Sequence, residues 1–415
     1  RDLGANTERG AIYVFEKVAS WGLTSVLVAS DGATGDELGT TVGLSGTTIV
    51  AGARNASSQA GAAYVFVRNG TTWTQQQKLT ASDATALDLF GTSVAIDANT
   101  IVVGAPLDDV GANANQGSAY VFVRSGTTWT QQQKVVAGTT PDAQDQFGSS
   151  VAVLGNDAAF GAPGNYYTVA GAGAAYVFTR SGTTWTQQGG AIVPSTYPSG
   201  GAGRSVSLLA NTVAIGAPGE NATYVHSRSG TTWSLQQKLT KPADAFNYGW
   251  STALFNAPNP SLAVGADGTN VLLQNQQGAT FVYRRSGTTW SLEGTLIASD
   301  GTAGDQLGRS VSGAGNTVLT GAFHDDVGGA ADRGSAYVWS RVVSTWSQDQ
   351  KLVASEAAQD ELMGQSVAID GDTALVGVPH DTVAGNGWQG SVFVFVKSGV
   401  SWSQQARILA PDGGG

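Results

Sequence analysis

Apolar positions in this chain fall in short runs, and the runs are of two kinds. The first kind is built from small residues. An apolar residue and a Gly open one segment, and a Gly-Ala-Pro-like triplet closes the next. Seven copies run along the sequence: LGTTVGLSGTTIVAGAR from Leu38, FGTSVAIDANTIVVGAP from Phe90, FGSSVAVLGNDAAFGAP from Phe147, AGRSVSLLANTVAIGAP from Ala202, YGWSTALFNAPNPSLAVGAD from Tyr248, LGRSVSGAGNTVLTGAF from Leu307 and MGQSVAIDGDTALVGVP from Met363. The second kind is bulkier, as in GAAYVFVRNGTTWTQQQKLT from Gly61 and GSAYVFVRSGTTWTQQQKVV from Gly117. Within AYVFVR, Ala119 and Val121 share one face and Tyr120 and Phe122 the other, so both faces are apolar. A strand of that kind is buried on both sides. No segment sustains helical spacing.

Turn residues fix the order of these strands. Asn69-Gly70 and Ser125-Gly126, each followed by Thr-Thr, predict tight hairpins between strands three and four; Asp97-Ala98-Asn99-Thr100 and Gly315-Asn316 link strands one and two. The Trp after each Gly-Thr-Thr-like turn is a ruler: Trp73, Trp129, Trp185, Trp233, Trp290, Trp346 and Trp402 are separated by 56, 56, 48, 57, 56 and 56 residues. That period is too short for separate domains and fits one four-stranded blade with its loops. The motifs resemble the FG-GAP repeat of the integrin alpha-subunit head and of many secreted bacterial proteins. The resemblance implies an all-β propeller of four-stranded antiparallel blades, with seven complete blades over residues 38–415.

Residues 1–37 are left over as an N-terminal half-blade hairpin and linker. Residues 10–30, GAIYVFEKVASWGLTSVLVAS, are an eighth copy of strands three and four, with Trp21 in the ruler position. Arg1 to Phe15 aligns with Asp108 to Phe122. The hairpin belongs to an eight-bladed ring, caps a seven-bladed one, or pairs with a neighbouring molecule. An isolated two-stranded hairpin is marginal in water, so something must cover it. If the seven blades close on themselves, the hairpin is free to join another copy head to tail into a filament.

Antiparallel order places the loop after each Gly-Ala-Pro and the acidic loop joining blades on one face. That face collects the variable segments, such as PLDDVGANANQG after Ala105, PGNYYTVAGAG after Ala162, FHDDVGGAADRG after Ala322 and PHDTVAGNGWQG after Val378. Variable loops on a rigid scaffold are where binding resides.

Composition narrows the chemistry. The 415 residues contain no Cys, one Met and three His, which removes disulfides, thiol catalysis and Cys-based zinc sites. Lys and Arg total 21 against 31 acidic residues, and the resulting net charge of −10 argues against a nucleic-acid partner. No apolar run approaches the ~20 residues of a transmembrane segment. Arg1 is not an initiator Met, so the chain reads as a processed or partial product, and its acidic, Lys-poor, Thr- and Gln-rich composition points to a secreted, extracellular or cell-surface setting.

The ruler Trp residues read as inter-blade packing rather than sugar platforms. More informative are the positions that break the repeat. The residue after the strand-one Gly is, in turn, Thr40, Thr92, Ser149, Arg204, Trp250, Arg309 and Gln365. By symmetry these form a ring at the mouth of the axial channel, where two Arg and a Trp can orient an anionic or glycan ligand. His324 and His380 occupy equivalent loops of adjacent blades, each followed by Asp, while His226 replaces a strand Phe. The resemblance implies calcium in Asp-rich loops between strands one and two. Here those loops are only IDANT, LGND or IDGDT, too poor in carboxylates for the usual six to eight oxygen ligands. Asp108, Asp109, Asp325 and Asp326 remain the weaker metal candidates, and no other cofactor is indicated. Recurrent acidic pairs before strand one, including Asp31 and Asp36, Asp83 and Asp88, Asp300 and Asp305, and Glu356 and Asp360, predict capping bonds to inter-blade backbone. Asn55, Asn69 and Asn221 lie in Asn-x-Ser/Thr sequons.

No nucleophile elbow, phosphate loop or paired catalytic carboxylates accompany these residues. The leading expectation is a non-catalytic extracellular binding or adhesion module that recognises a protein or glycan. The alternatives are a filament subunit assembled through residues 10–30, and a secreted hydrolase using His324 and His380.

Overall fold

The computed structural model describes residues 11–17, 21–33, 35–138, 142–164, 171–192, 199–230, 232–242, 244–256, 259–271, 274–355, 358–380 and 391–409. Residues 1–10, loop segments 165–170 and 381–390, Glu356 and the Trp21 side chain, all used above, lie outside that description.

A two-stranded hairpin, β1 (Ile12–Lys17) and β2 (Trp21–Leu27), precedes seven four-stranded antiparallel sheets. Blade one is β3 (Thr41–Ser45), β4 (Thr48–Ala53), β5 (Ala62–Asn69) and β6 (Thr72–Leu79). Blade two is β7 (Ser93–Asp97), β8 (Thr100–Ala105), β9 (Ser118–Ser125) and β10 (Thr128–Val135). Blade three is β11 (Ser150–Leu154), β12 (Asp157–Ala162), β13 (Ala174–Ser181) and β14 (Thr184–Gln187); blade four is β15 (Ser205–Leu209), β16 (Thr212–Ala217), β17 (Ala222–Ser229) and β18 (Thr232–Thr240). Blade five is β19 (Ser251–Asn256), β20 (Pro260–Ala266), β21 (Ala279–Ser286) and β22 (Thr289–Leu296); blade six is β23 (Val311–Ala314), β24 (Thr317–Ala322), β25 (Ser335–Val342) and β26 (Thr345–Leu352). Blade seven is β27 (Val367–Asp370), β28 (Thr373–Val378), β29 (Ser391–Ser398) and β30 (Ser401–Leu409). Strand order within every sheet follows the chain. The one segment with helix-like hydrogen bonding among the described residues is Ala56–Gln59, where Ser57 and Ser58 are left-handed (φ 55° and 61°).

The first strands of successive blades lie closest together, so they line the axis, and the fourth strands form the rim. Small residues are required where blades converge. A Cβ added to Gly52, Gly104, Gly161, Gly216, Gly265 or Gly321 would stand between 1.8 and 2.0 Å from the carbonyl oxygen of the next blade's strand-one glycine. Above that contact a hydroxyl latches the seam: Thr41 donates to the Gly91 carbonyl at 3.0 Å, Ser93 to Gly148 at 2.7 Å and Ser150 to Gly203 at 2.8 Å, with Ser205, Ser251 and Ser310 doing the same farther round.

At the rim the repeated Gln residues explain themselves. Gln133 Nε2 donates to the Trp185 carbonyl and its Oε1 accepts from the Trp185 amide, both at 2.8 Å. Gln77 with Trp129, Gln237 with Trp290 and Gln350 with Trp402 repeat the clamp. The side-chain amide copies a strand ladder across a seam where two sheets cannot pair directly. Trp129, Trp185, Trp290 and Trp402 are buried there, as packing residues.

The hairpin does not hang free. Ile12, Val14, Leu27 and Ala29 join one apolar cluster with Ile49, Ala51, Ala53, Tyr64 and Phe66 of blade one, and β2 touches both β6 and β30. It therefore stands between blades seven and one, where the outer half of a further blade would be. This corrects the premise behind the filament expectation: blades seven and one do not close directly on each other, because the hairpin separates them.

Candidate functional site

In each blade a left-handed glycine turns the chain into the axial strand. Gly91, for example, has φ 98°, and a Cβ there would lie 2.4 Å from the Ala62 carbonyl oxygen. The next residue is the ring position singled out in the sequence. In blades one to three it is used locally: the hydroxyls of Thr40, Thr92 and Ser149 donate to the carbonyls three residues back, Glu37, Leu89 and Gln146, at 2.6, 2.8 and 2.8 Å. Gln365 in blade seven is exposed.

Blades four to six depart from that pattern and converge. The Arg204 guanidinium lies 4.6 Å from the Trp250 ring centroid, and that of Arg309 lies 4.1 Å from it, one from the blade on each side. Guanidinium over indole is a favourable cation–π stack. Arg309 also sits 5.3 Å from the Phe323 ring and 3.1 Å from Asp267 Oδ2. Asp267 is 2 % exposed, and its other oxygen accepts from Asn247 Nδ2 at 2.9 Å. One of the two cations is thereby neutralised, whereas Arg204 has no ion-pair partner among the described residues. Desolvation, and then the like charge of Arg309, hold Arg204 below the ordinary arginine range, with Asp267 opposing. Beside the group, Lys241 Nζ lies 4.3 Å from the centroid of Phe246, which is 47 % exposed.

Sequence reasoning found the Arg-Trp-Arg trio but missed Asp267 and Phe323. The signal was present: both residues stand where other blades end Gly-Ala-Pro, as Gly-Ala-Asp and Gly-Ala-Phe.

The remaining candidates are held inside the fold. Asp108 accepts from Ser118, lies 3.0 Å from Tyr120 Oη and pairs with Lys134 at 2.7 Å. Asp325 repeats this with Ser335, Tyr337 at 2.9 Å and Lys351 at 2.8 Å. Each lysine also holds the first acid of the preceding loop, Asp83 or Asp300, at 2.6 and 2.7 Å. Positive charge at these carboxylates therefore comes from lysine. Burial, countered by those two hydrogen bonds each, leaves Lys134 and Lys351 raised, and burial drives the Tyr120 and Tyr337 hydroxyls well up. In blade one Ala56 takes the place of Asp108, and Lys78 pairs with Asp31 at 2.6 Å. There Tyr64 is pushed up to about 12 by burial, and the Lys78 hydrogen bond lowers Asp31. Asp109 and Asp326 accept from the backbone amides of Asn115 and Asp332, at 2.7 and 2.9 Å. Among the described residues no group of three or more His, Cys, Asp or Glu is placed to hold a metal.

The capping expectation holds for the second acids. Asp88, Asp145 and Asp305 accept from the amides three residues back, Thr85, Asp142 and Thr302, at 2.7, 2.9 and 2.6 Å. In the last such loop the acceptor is Glu361, from Ala358 at 2.6 Å, and not Asp360. Asp360 stands one residue earlier, at the left-handed position (φ 63°) that Leu87 and Gln144 occupy before the capping acids Asp88 and Asp145 (φ 76° and 69°).

The backbone amides of His324 and His380 bond equivalent carbonyls, of Asp305 and Glu361, which confirms their matching loops. His324 Nδ1 lies 2.6 Å from Asp332 Oδ1, and its ring centroid is 4.0 Å from that of Phe323. Of the sequons, Asn69 is exposed in the β5–β6 turn, Asn55 is half-buried, and Asn221 accepts from the Tyr248 amide at 3.3 Å.

No curated protein matches the chain. Among solved structures, Sqt1 of Saccharomyces cerevisiae is similar in fold, with a TM-score of 0.57 at 10 % identity over 90 % of this chain and 86 % of that one. The family model for the FG-GAP repeat matches residues 21–66, 73–122, 129–178, 290–339 and 346–395, more than half of the chain. With seven such blades arranged about one axis, the chain belongs to the FG-GAP repeat family.

Proposed function

We propose that this propeller is a non-catalytic extracellular binding module, and that it recognises an acidic glycan or protein through the face carrying the loops between strands two and three. The observation that supports this reading is the convergence of Arg204, Trp250 and Arg309 from three consecutive blades. At the matching positions of blades one to three, small hydroxyl residues close their own turns. An indole offers an apolar plate, and two guanidiniums stacked on it are restrained before any ligand arrives, which lowers the entropy lost on binding. Among the described residues Arg204 is the cation without an ion-paired acid, so the ligand supplies the negative group.

A glycan array and a cell-surface pull-down, run with the folded protein, identify the ligand class. Trp250→Ala and Arg204→Ala are each expected to weaken binding by at least tenfold, with unchanged thermal stability and with an affinity that falls as salt rises. A blank array and pull-down, or a ligand whose affinity neither substitution alters, would rule the reading out.

A further inference from the structure

At four seams the indole of one blade donates to the fourth strand of the blade before it. Trp129, Trp185 and Trp290 give Nε1–H to the residue three after the preceding ruler Trp, which is Gln76, Gln132 or Gln236, at 2.7–2.8 Å. Between blades five and six the acceptor is Glu293, at 3.1 Å from Trp346 Nε1, and Arg341 grips the same carboxylate at 2.6 and 2.8 Å. The seam of blades six and seven has shorter side chains at both positions. Asp349 stands where blades one to five have Gln or Glu, and Lys397 stands where blades one to six have Arg. Asp349 Oδ1 accepts from Ser340 Oγ at 2.5 Å, and Oδ2 lies 3.7 Å from Lys397 Nζ. Trp402, 3 % exposed, is left with a buried Nε1 that has no hydrogen-bond partner among the described residues. Trp233 Nε1 is unpaired too, but there the full-length Gln188 turns back to the Thr186 carbonyl of its own strand.

Shorter side chains leave room. A cleft of about 490 Å³ opens between the two blades, with Ser340, Asp349, Gln350, Lys397, Val400 and Ser401 in its lining. That volume falls within the range of small-molecule sites, about 300–1,000 Å³. The cleft lies towards the face of the tight turns, opposite the Arg204 group, and on the side of blade seven away from the N-terminal hairpin. The hairpin tips beside it also break the repeat. Where the other six blades have a left-handed glycine, at φ 60–63°, blade six has Val343 at φ 61°. A β-branched residue is strained there, and Val343 is 85 % exposed, so internal packing does not hold it. Strain of this kind collects at ligand sites. Val400, 88 % exposed, replaces the Thr that blades one to five have at the next turn position.

We propose that this cleft is a separate binding site for a neutral saccharide of one or two units. Asp349 and Lys397 are the charged residues of its lining and they offset each other, so a charged ligand finds no free counter-charge there. What remains is a set of polar partners with an aliphatic lip. The Asp349 carboxylate accepts from sugar hydroxyls, and Lys397 Nζ and Ser401 Oγ donate to sugar oxygens. Trp402 Nε1 gains the acceptor that Gln or Glu supplies at other seams, which removes the cost of a buried donor left unpaired. Val400 covers an apolar C–H face of the ring. The site shares no residue with the Arg204 group and stands or falls apart from it.

The probes are cellobiose, maltose, lactose and diacetylchitobiose, each titrated at millimolar concentration into the full chain carrying isotope-labelled tryptophan. At least one of them should shift the Trp402 indole N–H resonance, assigned with Trp402→Phe, and leave those of Trp129 and Trp185 in place. Asp349→Gln restores the residue of the repeat, so it should keep the native circular dichroism spectrum and weaken binding at least tenfold. Arg204→Ala should leave the affinity unchanged. The proposal is overturned if none of the four sugars moves the Trp402 resonance, if binding survives Asp349→Gln, or if Arg204→Ala abolishes it.

Discussion

His226 stands where blades one, two, three and seven have Phe. It is 6 % exposed, Nδ1 has no hydrogen-bond partner among the described residues, and burial lowers its pKa to about 4. The folded protein therefore resists a proton that the unfolded chain takes up near pH 6.5. This contribution to stability is complete above pH 6.5 and is lost progressively towards pH 4, reaching about 3 kcal/mol. His226→Phe should remove that part of the pH dependence, seen as the difference between variant and parent in urea midpoints from pH 7 to 4. It should also stabilise at pH 7 by roughly 1–3 kcal/mol, because an unsatisfied buried polar atom disappears. Gln133 is the converse case, a polar side chain fully used: Gln133→Ala strands the amide and carbonyl of Trp185. A loss of roughly 1–3 kcal/mol in urea unfolding is expected, and an unchanged midpoint would show that water replaces the clamp.

At the scale of the strand, glycine tolerance depends on the seam. Gly104→Ala drives a Cβ to 2.0 Å from the Gly148 carbonyl oxygen, so the two blades must part. Overpacking of this kind costs roughly 1–3 kcal/mol or more. Among the described residues the atoms nearest a Cβ on Gly377 belong to Ser366, whose hydroxyl, at 2.3 Å, can change rotamer. Thermal melting of the two variants should show a clear fall in Tm for the first and a small change for the second. Equal falls would mean that the seam after blade seven is as tightly closed as the others. The glycine of Gly-Ala-Pro is a visible repeat in the sequence, but which copy is dispensable depends on what faces it.

For the molecule as a whole, the hairpin is a ring component. Deleting residues 1–30 uncovers Ile49, Ala51, Tyr64 and Phe66 and removes Ile12, Val14, Leu27 and Ala29 from their shared cluster. With about 1.5–3 kcal/mol for each large side chain buried, stability should fall by roughly 5 kcal/mol. Urea unfolding of the truncated chain checks this, and an unchanged midpoint would mean that blades seven and one close without the hairpin. Repeats that touch only their neighbours pass such a loss to the two flanking blades first, so the unfolding transition should also broaden.

Strand identity, strand order and the seven complete blades were determined by the sequence alone. Alternating apolar positions, the turns at Asn69-Gly70 and Ser125-Gly126, and the Trp ruler are all local features, and a local feature needs no knowledge of what lies across a seam. The ring positions from Thr40 to Gln365 were legible for the same reason, since each follows a repeated glycine. Tertiary structure alone decided how these positions differ: that Thr92 closes its own turn while Arg204 and Arg309 meet over Trp250, and that Asp267 takes one of the two cations. It likewise decided that Asp108 and Asp325 face lysines, and that the N-terminal hairpin lies between blades seven and one. The stacks of Arg204 and Arg309 on Trp250 and the pair of Arg309 with Asp267 join residues 46, 59 and 42 positions apart, in neighbouring blades. Such partners meet only when neighbouring blades are set at their final angle, and no periodicity within one repeat records that angle.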